Sequence, residues 1–170
     1  MPDNHAALPG GIDVTEPVYG APARWISGKL QEDAALMGAT VVTPPEILAT
    51  HLLEVVKQNF SRLLTLKSLR RLLKEMTELS DQFRASANQK LLDELIPDKV
   101  PIDTLHAVLR LLLDEQVSIR NMPLILESIS EARLRTTAPE LICEHVRQRL
   151  GFQLVAEMKR EDGTIPLVQL

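Results

Sequence analysis

Residues Thr65–Leu79 read TLKSLRRLLKEMTEL, and their apolar members Leu66, Leu69, Leu72, Leu73, Met76 and Leu79 recur at steps of three and four. That spacing is the signature of an amphipathic α-helix, because side chains three and four apart stack on one face. Opposite the leucines, Lys67, Arg70, Arg71 and Lys74 form a basic stripe that reads as the water-facing side. The same logic works outward along the chain. Thr43 precedes Pro44 and stands three residues before Glu46, the spacing of a capping box, so a helix is expected from there to about Asn59 with Leu48, Leu52, Val55 and Val56 buried and Glu54 and Lys57 facing out. Asn88–Leu95 predicts a short helix closed by Pro97. Asp103 or Thr104 can cap one carrying Leu105, Val108, Leu109, Leu112 and Leu113, and Asn121 one carrying Ile125, Leu126 and Ile129. Thr137 and Glu140 repeat the capping-box spacing around Pro139 and open a helix through Leu141, Ile142, His145, Val146 and Arg149. At Gly151 two continuations are open: a strand in which Phe152, Leu154, Ala156 and Met158 alternate, or a helix continuing toward Lys159.

The N-terminal third reads differently. Met1–Ile12, with Pro2, Pro9, Gly10 and Gly11, has the composition of a flexible leader. Asp13–Ile26 is expected to be extended and irregular, since Pro17 and Pro22 bias the preceding residues away from helix. Trp25, beside Ile26, is expected in a core against the first helix. That helix should span Ser27–Met37 and end at Gly38, followed by a short strand at Ala39–Val42. At the other end Asp162-Gly163 signals a turn and Ile165–Leu170 a strand.

Composition sets the function classes. The chain is 45% hydrophobic but only 3% aromatic, which favours aliphatic packing between helices, and its net charge of −4 provides no general field for phosphates or anionic lipid. One cysteine, Cys143, excludes an internal disulfide and fits a reducing compartment. No apolar run approaches the roughly 20 residues of a membrane span. His5, His51, His106 and His145 are scattered without partners at metal-ligand spacing, and neither a phosphate-binding glycine loop nor a nucleophile elbow is present. The acid pairs Asp93-Glu94 and Asp114-Glu115 fall near helix ends, where charges face water. The expectation is a protein-docking chain, not an enzyme, without metal or cofactor. The alternative is a helical DNA-binding transcription regulator, because Leu105–Glu131 resembles a helix-turn-helix; its would-be recognition helix starts Met122-Pro123-Leu124-Ile125, which offers little to bases or phosphates.

The run Glu16-Pro17-Val18-Tyr19-Gly20-Ala21-Pro22-Ala23-Arg24-Trp25-Ile26, with Val41-Val42 and Ala49-Thr50-His51-Leu52 downstream, resembles the FHIPEP family, the export gates of type III secretion systems. Further blocks in the same order are Leu92–Pro97, Leu105–Leu113, Glu115–Arg120, Ile125–Glu127 and Val146-Arg147 with Leu150, and the likeness is nearer the flagellar branch. Thr65-Leu66-Lys67-Ser68 stands where the family usually carries Gly-Arg-Gln-Glu, so a different helix junction is expected there. The resemblance implies an α+β fold, predominantly α-helical. Residues 1–12 would be a leader, 13–43 the remnant of a small α/β subdomain, 44–64 a connecting helix, 65–159 a helical subdomain, and 160–170 the first strand of a truncated C-terminal subdomain. It also implies a place at the cytoplasmic face of the bacterial inner membrane, within a gate that docks export chaperone–substrate complexes, communicates with the export ATPase complex and assembles with copies of itself into a ring. No span of this fragment and no nucleic acid would be involved. Carried over residue by residue, the chaperone-docking cleft falls on Glu16, Tyr19 and Thr50, with Asp and Phe more usual in the family at the first two positions.

Overall fold

The computed structural model describes residues 10–159 and residue 164, and the chain divides after Gln58 into two units. The fold is α+β and mainly helical, as expected.

In the first unit, β1 (Ile12–Thr15) and β2 (Pro22–Trp25) pair antiparallel with Ile12 opposite Trp25 and Thr15 opposite Pro22. The stretch expected to be irregular is therefore a hairpin. Pro22 is accommodated because it opens its strand, where the missing N–H costs least. Across the pair, Arg24 Nε donates to Asp13 Oδ1 at 2.6 Å. Trp25 is 46% exposed, so the expected core position is not realised. A two-stranded ribbon has no second layer to bury it among the described residues. A 3₁₀ turn at Gly28–Leu30 leads into α1 (Gln31–Leu36), whose Ala34 is buried, and Gly38 at φ +79° ends it where expected. Residues 39–42 form no strand. Their β-branched content suits a strand, but strand structure requires a ladder partner.

Then α2 (Pro44–Gln58) begins where the Thr43–Glu46 spacing placed it. Glu46 Oε2 accepts from the Thr43 N–H at 2.7 Å and from its hydroxyl at 2.8 Å. These bonds, the backbone one first, hold the Glu46 carboxyl below its ordinary pKa despite some desolvation. Of the predicted buried face only Val56 is partly covered. Leu48, Leu52 and Val55 are 68%, 60% and 40% exposed, and the other partly covered residues are Ile47, His51 and Glu54. Periodicity located an apolar stripe but could not tell whether a neighbour covers it.

The second unit holds the core. It is built from α3 (Phe60–Leu63), α4 (Leu66–Thr77), α5 (Gln82–Leu95), α6 (Ile102–Asp114), α7 (Met122–Ala132), α8 (Pro139–Arg149) and α9 (Gly151–Met158). Helix α6 packs against α3, α4 and α8, while α7 packs against α5 and α8. Leu69, Leu105, Val108, Leu109, Leu112, Ile125, Leu126, Ile129, Ile142 and Val146 are sealed from solvent, so most of the predicted stripes reach the core, whereas Leu79 and Leu141 are 40% and 61% exposed. The Thr65–Ser68 junction forms a capping box in its own right: Thr65 Oγ1 accepts from the Ser68 N–H at 3.1 Å and Ser68 Oγ accepts from the Thr65 N–H at 2.8 Å. His106 Nε2 lies 2.7 Å from the Leu64 carbonyl oxygen and ties this junction to α6.

Several ends differ from expectation. Helix α5 starts six residues before Asn88 because Asp81 caps it, accepting from Phe83 and Arg84 N–H. Neither Asp103 nor Thr104 caps α6, which starts after Pro101 with Asp103 already in its first turn. The Thr137–Glu140 box does not form; Ala138 precedes α8, and Thr136 Oγ1 accepts from its N–H at 3.2 Å. Asn121 caps α7 as expected. After Gly151 the chain is helical, which closes the strand alternative. The expected turn at 162–163 and strand at 165–170 lie outside the described residues, as does nearly all of the expected leader. Cys143 is buried, and desolvation first, followed by the Glu115 carboxylate, pushes its thiol up to about 11, so it is a packing residue.

Candidate functional site

Six residues, Glu16-Pro17-Val18-Tyr19-Gly20-Ala21, connect β1 to β2. The Glu16 N–H donates to the Ala21 carbonyl at 2.9 Å, and the Gly20 N–H donates to the Glu16 carbonyl at 3.2 Å, so the backbone closes on itself. The Glu16 carboxylate then fills the turn. Its Oε2 accepts from Val18 N–H at 2.7 Å, and Oε1 accepts from Tyr19 N–H at 2.6 Å and Ala21 N–H at 3.2 Å. Partial burial alone would raise the carboxyl pKa; bonds from the Val18, Ala21, Tyr19 and Gly20 amides outweigh it and hold the pKa below the ordinary value of 4.5. With its loop tied from inside, Tyr19 points outward and is 76% exposed. Glu16 thus acts on the loop's shape, while Tyr19 is the side chain a partner would meet.

The sign of this shift fixes a pH dependence. A carboxyl whose pKa is depressed by folding stabilises the turn above its unfolded value and loses that contribution as pH falls through the lower folded value. Amide resonances of Val18, Tyr19 and Ala21 should therefore hold their positions down to pH 4.5 and move together below it. Unchanged shifts through acid titration would show the carboxylate is not their acceptor.

Thr50 lies on α2, exposed, with its hydroxyl donating back to the Glu46 carbonyl at 2.8 Å. That bond uses its one donor and leaves its methyl and both oxygen lone pairs for a neighbour. Glu16 and Tyr19 are joined directly by a hydrogen bond, and Thr50 stands on a separate element. The sequence reading placed Glu54 and Lys57 on the wet face, which holds for Lys57 but not for Glu54. Glu54 is partly covered, and its Oε1 accepts from Lys57 Nζ at 2.8 Å. The Lys57 ammonium is held above its ordinary pKa by that bond first, then by the Glu54 charge, with Tyr19 also close enough to contribute. The 50, 54, 57 spacing was the signal available: four then three residues place all three on one side of a helix.

Elsewhere the chemistry is structural. Among the described residues no group of histidine, cysteine, aspartate or glutamate could hold a metal, and no helix is long and apolar enough to cross a membrane. The acid pairs are occupied by ion pairs, Glu94 with Lys99 and Glu115 with Arg147, each at 2.8 Å. His145 Nε2 lies 3.3 Å from Glu131. In the basic stripe, Arg71 pairs with Glu75 and Lys74 with Glu78. The helix-turn-helix reading fails at α7: Met122, Ile125, Leu126 and Ile129 are buried, and no Lys or Arg lies within the helix. A recognition helix needs a free polar face.

Comparison with known proteins agrees with this fold. The FHIPEP family matches residues 1–170. A flagellar biosynthesis protein FlhA of Caulobacter vibrioides is 42% identical over 160 residues, covering 94% of this chain and 22% of that protein. The protein of the same name in Bacillus subtilis is 32% identical over 158 residues, covering 93% and 22%. The chain thus spans about a fifth of the length of these relatives. Among solved structures, the Chlamydia pneumoniae CdsV and CdsO complex aligns with a TM-score of 0.69 at 22% identity, over 85% of this chain and 40% of the other. The nonameric EPEC SctV-C aligns with a TM-score of 0.63 at 19% identity, over 91% and 44%.

Proposed function

The chain belongs to the FHIPEP family, and from that membership we propose that it serves a flagellar-type protein-export gate as a docking surface for export chaperone–substrate complexes. The observation that carries the reading is Tyr19: an aromatic ring 76% exposed on a loop whose shape is fixed by three hydrogen bonds to Glu16. An exposed, pre-ordered aromatic costs little entropy to engage and offers both apolar area and a hydroxyl, the profile of a binding hot spot. Glu16 positions it. Thr50 adds a methyl and an acceptor from α2.

The helical unit has a different part in this proposal. Its sealed aliphatic core makes it a rigid spacer, and its outer faces are where copies of the protein would meet in a ring. Of the structural neighbours, EPEC SctV-C is nonameric, and CdsV is in complex with a second protein, CdsO. By analogy, contacts with like copies and with components of the export ATPase complex are part of the proposal. The place of action is the cytoplasmic face of the bacterial inner membrane, with no catalysis and no cofactor.

The test is a binding measurement with a purified flagellar chaperone–substrate complex against the cytoplasmic region containing this chain. Tyr19→Ala should weaken binding by at least about tenfold, the loss typical of a hot-spot aromatic, and Thr50→Met should weaken it by crowding the adjoining surface. Binding unchanged in both variants would remove the assignment.

A further inference from the structure

We propose that the open trough between α4 and α5, with the cationic row Lys67, Arg70 and Lys74 beside it, is a docking site for an acidic protein segment that carries an aliphatic anchor. The site lies within the helical unit and does not depend on the reading of the Tyr19 loop.

The first observation is the distribution of charge. From Asn59 to Lys74 the sequence carries five cations, Arg62, Lys67, Arg70, Arg71 and Lys74, and no acid, in a chain whose net charge is −4. Steps of three and four residues put the last four on one exposed side of α4, away from the buried Leu69 and Leu73. Two of them are compensated on the helix itself, Arg71 by Glu75 at 2.7 Å and Lys74, more loosely, by Glu78 at 3.4 Å. Among the described residues Lys67 and Arg70 have no carboxylate partner, so this face holds two charges that the fold does not use.

The second observation is the trough, about 290 Å³ in volume. Its less exposed lining is aliphatic, Leu73, Leu92 and Ile96, while the exposed Lys74 stands on the α4 side and the exposed Gln89 and Asp93 on the α5 side. This is near the lower end of the roughly 300–1,000 Å³ of small-molecule pockets, room for one or two aliphatic side chains. The two helices are tied together beside it: Asn88 Nδ2 donates to the Met76 carbonyl at 2.8 Å, and the next residues along, Gln89 and Thr77, belong to the lining. A trough formed in advance costs a ligand little ordering.

The third observation is that the two sides differ in sign. Lys74 follows Arg70 by one turn on α4, whereas Asp93 faces from α5 with its Oδ1 accepting from Gln89 Nε2 at 2.7 Å. A segment that seats an aliphatic side chain in the trough therefore gains by placing its carboxylates over α4 and loses by placing them over Asp93. An acidic peptide suits this surface better than a bilayer does. The leucines of α4 are already in the core, so the helix has no apolar face to insert, and a planar anionic surface would also meet the acids that make the chain negative. Nucleic-acid binding relies on neutralising many phosphates, and two uncompensated cations supply too few contacts.

The test titrates the full chain with a short end-blocked peptide in which glutamates flank a pair of leucines, read by amide resonances. Shifts should appear at Arg70, Lys74, Leu92 and Ile96, and binding should weaken as salt is raised. The same peptide with lysine at every glutamate should bind at least about fivefold more weakly, and so should the acidic peptide to the Lys67→Glu, Arg70→Glu double variant. Asp93→Asn should tighten binding of the acidic peptide by about twofold. All three substituted positions are exposed, and unchanged helical circular dichroism is the fold control. Absence of shifts in the trough, equal binding of the two peptides, or indifference to the double variant overturns the proposal. Two alternative occupants would overturn it as well. Co-sedimentation with phosphatidylcholine–phosphatidylserine vesicles, abolished in the double variant while the peptide fails to bind, would assign the face to a membrane. The same resonances moving when the chain alone is diluted would assign it to a second copy.

Discussion

Leu109→Ala is expected to destabilise the helical unit by about 2–5 kcal/mol, the range for truncating a sealed leucine. Leu109 is fully buried on α6, the helix that packs against α3, α4 and α8, so the cavity would open where four helices meet. Its neighbours Leu105, Val108 and Leu112 are equally sealed and sit on the same helix, which limits how far the site can collapse to fill the void. A loss of this size is a large fraction of the total stability of an ordinary domain. Urea unfolding followed by circular dichroism at 222 nm should show a lower midpoint with an unchanged slope. Leu134→Ala is the control: the same change of side chain at a position 88% exposed should stay within about 0.5 kcal/mol of the parent. Equal effects from the two variants would mean that α6 is not at the centre of the core.

The contrast between those leucines also shows what could be read from the sequence. In the second unit, the stripes at three- and four-residue spacing largely coincide with the buried faces, Leu79 and Leu141 excepted, because helices there pack on their apolar sides. In the first unit the same rule selected Leu48, Leu52, Val55 and Val56 on α2; the first three remain exposed and only Val56 is partly covered. Periodicity reports the shape of a face; burial depends on a neighbour that periodicity does not contain. Cap positions were legible only where the polar side chain actually turns back. Asn121 and the Thr43–Glu46 pair do, whereas Thr137 does not cap α8, and Thr136 bonds the Ala138 N–H instead. The hairpin was hidden because its strands are four residues long and one opens with Pro22, which argues against a strand until its edge position is known. Of the candidate site, the residue identities came from family resemblance, and their hydrogen bonds and exposure came from the structure. Nothing in the sequence of Glu16 shows that its carboxylate holds three amides of its own loop.

The hairpin that presents Tyr19 should be broken by one methyl group at Gly11. This residue has φ +101°, a backbone conformation that side chains rarely adopt. A β-carbon there would lie 2.5 Å from the carbonyl oxygen of Trp25 and 2.9 Å from Cγ of Arg24. The first obstacle is backbone and can retreat only if β2 moves. The second belongs to a side chain held by Asp13 at 2.6 Å, so it cannot swing aside without breaking that pair. Strained backbone of this kind costs on the order of 1–3 kcal/mol even before the clash. A two-stranded ribbon is marginal on its own, which leaves little to absorb the cost. Gly11→Ala should therefore abolish the cross-strand contacts between Asp13 and Arg24, and weaken chaperone-complex binding through the loop that β1 and β2 support, while the helical unit unfolds at its original urea midpoint. Gly10→Ala separates the two causes, since Gly10 also has a positive φ, +76°, but an added β-carbon meets nothing within 4 Å. It should lose only about 1–2 kcal/mol from conformation and keep the hairpin paired. If Gly11→Ala retains its Asp13–Arg24 contacts, close approach of the two strands at Trp25 is not what requires glycine there.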